Sequence, residues 1–176
     1  MSTIKRLSVL SIMLFAAAMS GCTLTDQQSQ PINPPTGNQP QGDQARVVSI
    51  IDGDTIDVEL NGQTLRVRYI GVNTPERDEA CYSEARQANS AFVREKTVIL
   101  VRDTSDTDRY GRLLRYVYLD EVMVNEMLVS EGWAESVEYP PDTGYAAQFR
   151  DLEQVAARNN RGCHPTGIFN DGSTTR

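Results

Sequence analysis

The sequence is poor in residues on which many enzymes depend. Its 176 residues include one His, three Cys, one Trp and only two Lys, Lys5 and Lys96. A single His excludes chemistry that needs two imidazoles, such as paired-His RNA cleavage or a two-His zinc site. That residue, His164, lies between Cys163 and Pro165 near the C-terminus, a poor place for a catalytic base. No apolar run reaches the roughly 20 residues of a comfortable membrane span. The length excludes two full-sized domains. At 39% hydrophobic and 23% charged residues the chain can bury a core, which excludes a wholly disordered protein.

Fifteen of the seventeen basic residues are therefore Arg, within a formal net charge of −7. Arg offers a planar fork that matches phosphate or carboxylate, whereas Lys is a point charge. A polyanion-binding protein with this balance needs a local basic patch, because its overall field is repulsive.

Lys5 and Arg6 precede an apolar run from Leu7 to Met19, followed by Ser20-Gly21-Cys22. A charged start, a short apolar centre and small residues at its end read as a secretory signal over 1–21. Met19-Ser20-Gly21-Cys22 resembles a bacterial lipobox, with Met where Leu is more usual, so Cys22 is the expected site of lipidation. Thr23, rather than Asp, follows it. By resemblance to Gram-negative lipoproteins this favours the outer membrane, with the protein lipid-anchored in the cell envelope. Losing Lys5 and Arg6 with the signal takes the net charge of −7 two lower, to −9. Residues 22–44 read as a linker, with four of the eight Pro, six Gln and no helical or strand period.

The folded part is expected over 45–169, with a flexible tail at 170–176. Val47–Ile51, Asp54–Leu60 and Thr64–Ile70 read as strands joined by turns at Asp52-Gly53 and Asn61-Gly62. Two more strands are expected at Val98–Val101 and Leu113–Leu119. Helices are expected over 83–96, capped by Ser83, over 125–131, stopped by Gly132, and over 143–160 with Tyr145, Phe149, Leu152 and Ala156 inward. Five short strands and three helices make a β-rich α+β domain and fit a small Greek-key barrel. With Cys22 lipidated, Cys81 and Cys163 remain. An oxidising compartment favours a disulfide between them, free buried thiols being the alternative. Nothing signals oligomerisation, and a monomer is expected.

Four segments could carry chemistry. In Asp52-Gly53-Asp54-Thr55, carboxylates at i and i+2 share a face, and oxygen-only ligands suit a hard cation such as Ca²⁺. In Gly71-Val72-Asn73-Thr74-Pro75-Glu76, Pro75 restricts Thr74 and so directs the Thr74 carbonyl and the Asn73 side chain, leaving Glu76 at the rim. Arg68 lies on the strand feeding that loop. In Asp108-Arg109-Tyr110-Gly111-Arg112, Gly111 permits an unusual backbone angle beside Arg112. Two Arg converging on one site would clamp a phosphate.

Together with Met123-Val124-Asn125-Glu126, these segments resemble, in order and spacing over 47–133, the thermonuclease (staphylococcal-type nuclease) family. The resemblance implies a five-stranded OB-fold Greek-key barrel with three helices. It also implies Ca²⁺-dependent, sequence-nonspecific hydrolysis of DNA and RNA to 3′-phosphates. It places Ca²⁺ on Asp54, Asn73 and the Thr74 carbonyl, with Asp52 just behind them. Arg68 and Arg112 would grip the scissile phosphate, Glu76 would orient or deprotonate water, and Arg109 and Tyr110 would meet a neighbouring phosphate. Asn73 stands where the family often has Asp, which implies weaker Ca²⁺ binding. The family's base-stacking Tyr has no clear counterpart; Glu138 falls near it, and Tyr139 follows as the substitute. The competing reading is a non-catalytic nucleic-acid-binding OB module of the envelope.

Overall fold

The computed structural model describes residues 39–170. The apolar run 7–19, Cys22, most of the linker and the end of the tail lie outside the described residues, as do the expectations that rest on them. Among the described residues no helix is long and apolar enough to cross a membrane.

Strand β1 (Asp43–Ile50) begins two residues inside the stretch read as linker. It pairs antiparallel with β2 (Thr55–Leu60), and β2 with β3 (Gln63–Tyr69), giving the expected three-stranded meander. A bulge between Val47 and Ser49 bends β1 between its partners. A two-residue strand β4 (Val72–Asn73) follows, then helix α1 (Tyr82–Val93). Strand β5 (Thr97–Val101) runs antiparallel to the start of β1, with Arg46 opposite Thr97.

Strand β6 (Leu113–Leu119) pairs antiparallel with β5 and parallel with β3, opposing Arg68 to Leu114. That pairing closes five strands into a mixed barrel, the expected OB-type fold. The chain ends with β7 (Val122–Met123), α2 (Val124–Ser130), β8 (Glu135–Ser136), α3 (Ala146–Arg158) and two 3₁₀ turns at His164–Thr166 and Ile168–Asn170. Strand β8 pairs with β4 in a separate two-stranded sheet. Asn170, expected to open the tail, thus closes the last turn.

Alternation explains the barrel. Ile56 and Val58 of β2, Val67 and Tyr69 of β3, Val98 and Leu100 of β5 and Val117 of β6 are all buried. Helices α2 and α3 pack on each other, and Phe149 of α3 is fully buried. Burying such a side chain is worth about 1.5–3 kcal/mol.

Two helix ends differ from expectation. Helix α1 stops at Val93 instead of 96, because Arg94 is extended and Glu95 takes φ 60° to turn the chain into β5. Its first turn is not capped by Ser83, whose hydroxyl donates to Glu84; Cys81, at φ 72°, occupies the cap position. Helix α3 is shorter than 143–160 because Thr143 and Gly144 are drawn into a turn, their N–H groups donating to Pro141 O and Asp103 Oδ2. Cys81 and Cys163 are joined in a disulfide, with Cα atoms 5.6 Å apart.

Candidate active site

Barrel pairing brings the four segments together. The β2–β3 register sets Thr55 beside Arg68, and Tyr69 donates its N–H to the Asp54 carbonyl at 2.9 Å. The parallel β3–β6 pairing then delivers the loop before β6 to the same end of the barrel. The β4 loop supplies Asn73 to Glu76 from the third side.

Asp54 is buried and saturated with donors. Its Oδ2 accepts from the Thr74 N–H at 2.8 Å and the Thr74 hydroxyl at 3.0 Å. Its Oδ1 accepts from Thr55 Oγ1 at 3.2 Å and faces Arg68 Nη1 at 3.1 Å. Asp52 Oδ1 accepts the Asp54 N–H at 3.0 Å, so the two carboxylates share the hairpin end as expected. Burial, and next the Asp54 charge, push the Asp52 carboxyl up to about 7. Gly53 allows this turn to lie against the β4 loop: a Cβ there would come within 2.7 Å of the Thr74 side chain.

Arg68 is 8% exposed. Its Nη1 donates to the Tyr69 and Val72 carbonyls at 2.9 and 2.8 Å, and its Nη2 to Asn73 Oδ1 at 3.1 Å. Its Nε–H and second Nη2 hydrogen are not spent on hydrogen bonds among the described residues and remain for a ligand. Arg112 is more open. Its Nε donates to Asp108 Oδ2 at 2.6 Å, which fixes the guanidinium by its Nε side. Asp108 also accepts the N–H groups of Tyr110 and Arg112, and Gly111 takes φ 78° between them. Burial raises the Asp108 carboxyl, but these donors outweigh it and hold it below the usual range.

Glu76 is exposed at the rim, its N–H donating to Glu79 Oε2 at 2.7 Å. Its carboxyl is shifted upward by partial burial, then by the Asp54 charge, against the pull of Arg68 and Arg112. Glu76, Asp54 and the two Arg therefore share one electrostatic neighbourhood. Tyr139 belongs to it as well. Its hydroxyl is raised by burial and feels Arg68, Asp54, Glu135 and Arg112. Glu138 instead pairs with Arg150 of α3. Tyr110 is 69% exposed, with the Arg109 and Arg112 guanidiniums 4.7 and 5.5 Å from its ring centroid. Asp57, Thr64 and Arg66 join Tyr110, Gly111 and Arg112 around an open cleft of about 420 Å³.

Sequence reasoning missed two residues here. Asn89 of α1 accepts from the Tyr69 hydroxyl at 2.9 Å and donates to the Asp52 carbonyl at 3.0 Å, bracing the hairpin from behind. Its position between Ala85 and Val93 on the buried helix face was a readable signal. Glu135 of β8 accepts from Asn73 Nδ2 at 2.9 Å, and no periodicity marks it.

Among the described residues no cluster of three or more His, Cys, Asp or Glu could hold a metal ion. The expected set is mixed instead: one carboxylate, one amide oxygen and one main-chain carbonyl, with Asp52 behind. These are hard oxygen donors. The Asp52 and Asp54 charges are crowded together, and one buried guanidinium offsets only one of them. By donor chemistry this set fits Ca²⁺, which on binding would take the place of hydrogen bonds that Asp54 and Asn73 Oδ1 now accept.

The model of the family described as Staphylococcal nuclease homologue matches residues 66–163. Endonuclease YncB of Bacillus subtilis is 45% identical over 114 residues, 60% of this chain and 54% of that protein. The thermonuclease of Staphylococcus intermedius is 36% identical over 124 residues, 67% of this chain and 74% of that protein. The micrococcal nuclease of Shigella flexneri is 38% identical over 130 residues, 66% of this chain and 70% of that protein. The chain spans about half the length of the Bacillus endonuclease.

Proposed function

Because this chain belongs to the staphylococcal nuclease homologue family, we propose that it is a Ca²⁺-dependent endonuclease hydrolysing DNA and RNA to 3′-phosphate products. The observation that carries the reading is that barrel pairing joins Asp54, Arg68, Asn73 and Thr74 through direct contacts at one end, with Glu76 next on the same loop. A phosphodiester brings its own negative charge, which must be offset before water can approach. The free Nε and Nη2 hydrogens of Arg68 and the Nη edge of Arg112 would take its non-bridging oxygens and hold the phosphorus near Glu76. Their grip tightens as charge builds in the transition state.

Water bonds to phosphorus while the P–O5′ bond breaks. Glu76 orients that water and accepts its proton, for which an upward-shifted carboxyl is suited. The 5′ oxygen leaves and takes a proton from solvent water, and Glu76 returns its proton to solvent. Ca²⁺, held by Asp54, Asn73 Oδ1 and the Thr74 carbonyl with Asp52 behind, would supply fixed positive charge against the phosphate when bound. Arg109 and Tyr110 would meet a neighbouring phosphate, and Tyr139 a base.

We propose further, from the lipobox-like Met19-Ser20-Gly21-Cys22, that the protein is a monomer lipidated at Cys22 and anchored in the cell envelope at the outer membrane. The Cys81–Cys163 disulfide supports an oxidising compartment.

The test is cleavage of single-stranded DNA by the purified chain with Ca²⁺ or with chelator. Chelation should abolish it. Arg112→Ala should lose about 10²–10³-fold in kcat, as for one oxyanion-stabilising donor. Glu76→Gln should fall as far while still binding DNA. Binding without cleavage by the unaltered protein would instead establish a non-catalytic module.

A further inference from the structure

Asn73 and Glu135 face each other across the small β4–β8 sheet, and both are buried, at 0% and 6% exposure. The Asn73 amide lies between an acceptor-only carboxylate and a donor-only guanidinium. Its Nδ2 must therefore face Glu135 and its Oδ1 must face Arg68, as the 2.9 and 3.1 Å contacts have it. Arg68 continues the chain to Asp54 at 3.1 Å. Glu135, Asn73, Arg68 and Asp54 thus form one buried line of alternating acceptors and donors.

We infer that Glu135 is a positioning residue for Asn73 and carries the negative charge that an Asp at 73 would hold. Without an acceptor at 135 the amide could rotate and present Nδ2 to the cation seat and to Arg68. With it, Oδ1 is the only atom presented. The carboxylate also stands one side chain behind Asn73, where its charge still acts on a cation at that end of the barrel. The functional part of this inference rests on the nuclease reading above; the pairing itself does not.

The consequence runs against simple substitution. Asn73→Asp would set a carboxylate oxygen where Nδ2 now lies, about 2.9 Å from Glu135 Oε1. Restoring a charge at 73 should therefore harm the site unless the charge at 135 is removed together with it.

The experiment is a double-mutant cycle on the full chain in detergent, using Asn73→Asp, Glu135→Gln and the double variant. Melting temperature is read without metal, and Ca²⁺ affinity by isothermal titration. Asn73→Asp should melt about 5 °C lower, and adding Glu135→Gln should recover most of that loss. Glu135→Gln alone keeps an acceptor for Nδ2, so it should lose less than Asn73→Asp on melting yet bind Ca²⁺ about tenfold more weakly. The double variant should regain the affinity. A purely structural Glu135 would leave Ca²⁺ affinity unmoved, and that result overturns the inference. So do additive effects on melting. If the unaltered protein binds no Ca²⁺ at millimolar concentration, the metal reading fails, while the melting cycle still decides the pairing: coupling supports it and additivity overturns it.

Discussion

Thr74 is tied to Asp54 twice, through its N–H and its hydroxyl, and the space for that contact comes from the missing side chain at 53. A Cβ at 53 would press within 2.7 Å of three Thr74 side-chain atoms. Gly53→Ala must therefore push the hairpin from the loop that supplies Asn73, Thr74 and Glu76. We expect a loss of about 1–3 kcal/mol in stability, typical of overpacking, and a fall in cleavage. Thr74→Ser in the same chain removes one of the crowded atoms and should recover part of both. Denaturant melts and kcat for the two variants check this; an unchanged melt for Gly53→Ala would show that the hairpin yields freely. At this scale the segments that converge at the barrel end were legible because each is a short run of distinctive residue types. Glu135 was not, because its role arises only when β8 lies across from β4.

Strands were more legible than helix ends. Thr55–Leu60 and Gln63–Tyr69 follow from alternation and from an Asn-Gly turn, all local features. The end of α1 is set by something distant: Thr97 must pair with Arg46, so the chain leaves the helix at Arg94 and turns at Glu95. The start of α1 is fastened by the disulfide, which joins its cap residue to Cys163 beyond α3, and Cys163 donates its N–H to the Gly132 carbonyl at 2.8 Å. The bridge thus ties the segment carrying Glu76 to the C-terminal helices. It closes a loop spanning 82 residues of sequence, for which a loss of about 3–5 kcal/mol on removal is expected. Paired Cys81→Ser and Cys163→Ser substitutions should shift the denaturant midpoint accordingly, and reductant should do the same to the unaltered protein. An unmoved midpoint in both would show that the bond does not constrain the fold.

For the whole molecule, barrel closure was the least legible feature. No local pattern reveals that β3 and β6 run parallel and adjacent, yet this pairing gathers Arg68 and Arg112 at one end. The same gathering answers how a chain of net charge −7 would hold the polyanion proposed as its substrate. The protein's distant field repels nucleic acid, while Arg68, Arg109 and Arg112 form a local basic cluster around Tyr110 and Glu76. Binding should then release few counterions. With two phosphates neutralised on single-stranded DNA, the scissile one by Arg68 and Arg112 and its neighbour by Arg109, log Kd should rise with log salt at a slope of about 1.4, since each phosphate contributes roughly 0.7. Arg109→Ala should lower that slope by about 0.7, because its charge sits on the exposed Tyr110 ring and does not brace the fold. Titrating a fluorescent oligonucleotide between 50 and 300 mM salt, in chelator to prevent cleavage, reads both slopes. A slope above about 4 would require cations beyond this cluster. A slope that Arg109→Ala leaves unchanged would place the strand away from Tyr110, on the far side of Arg112.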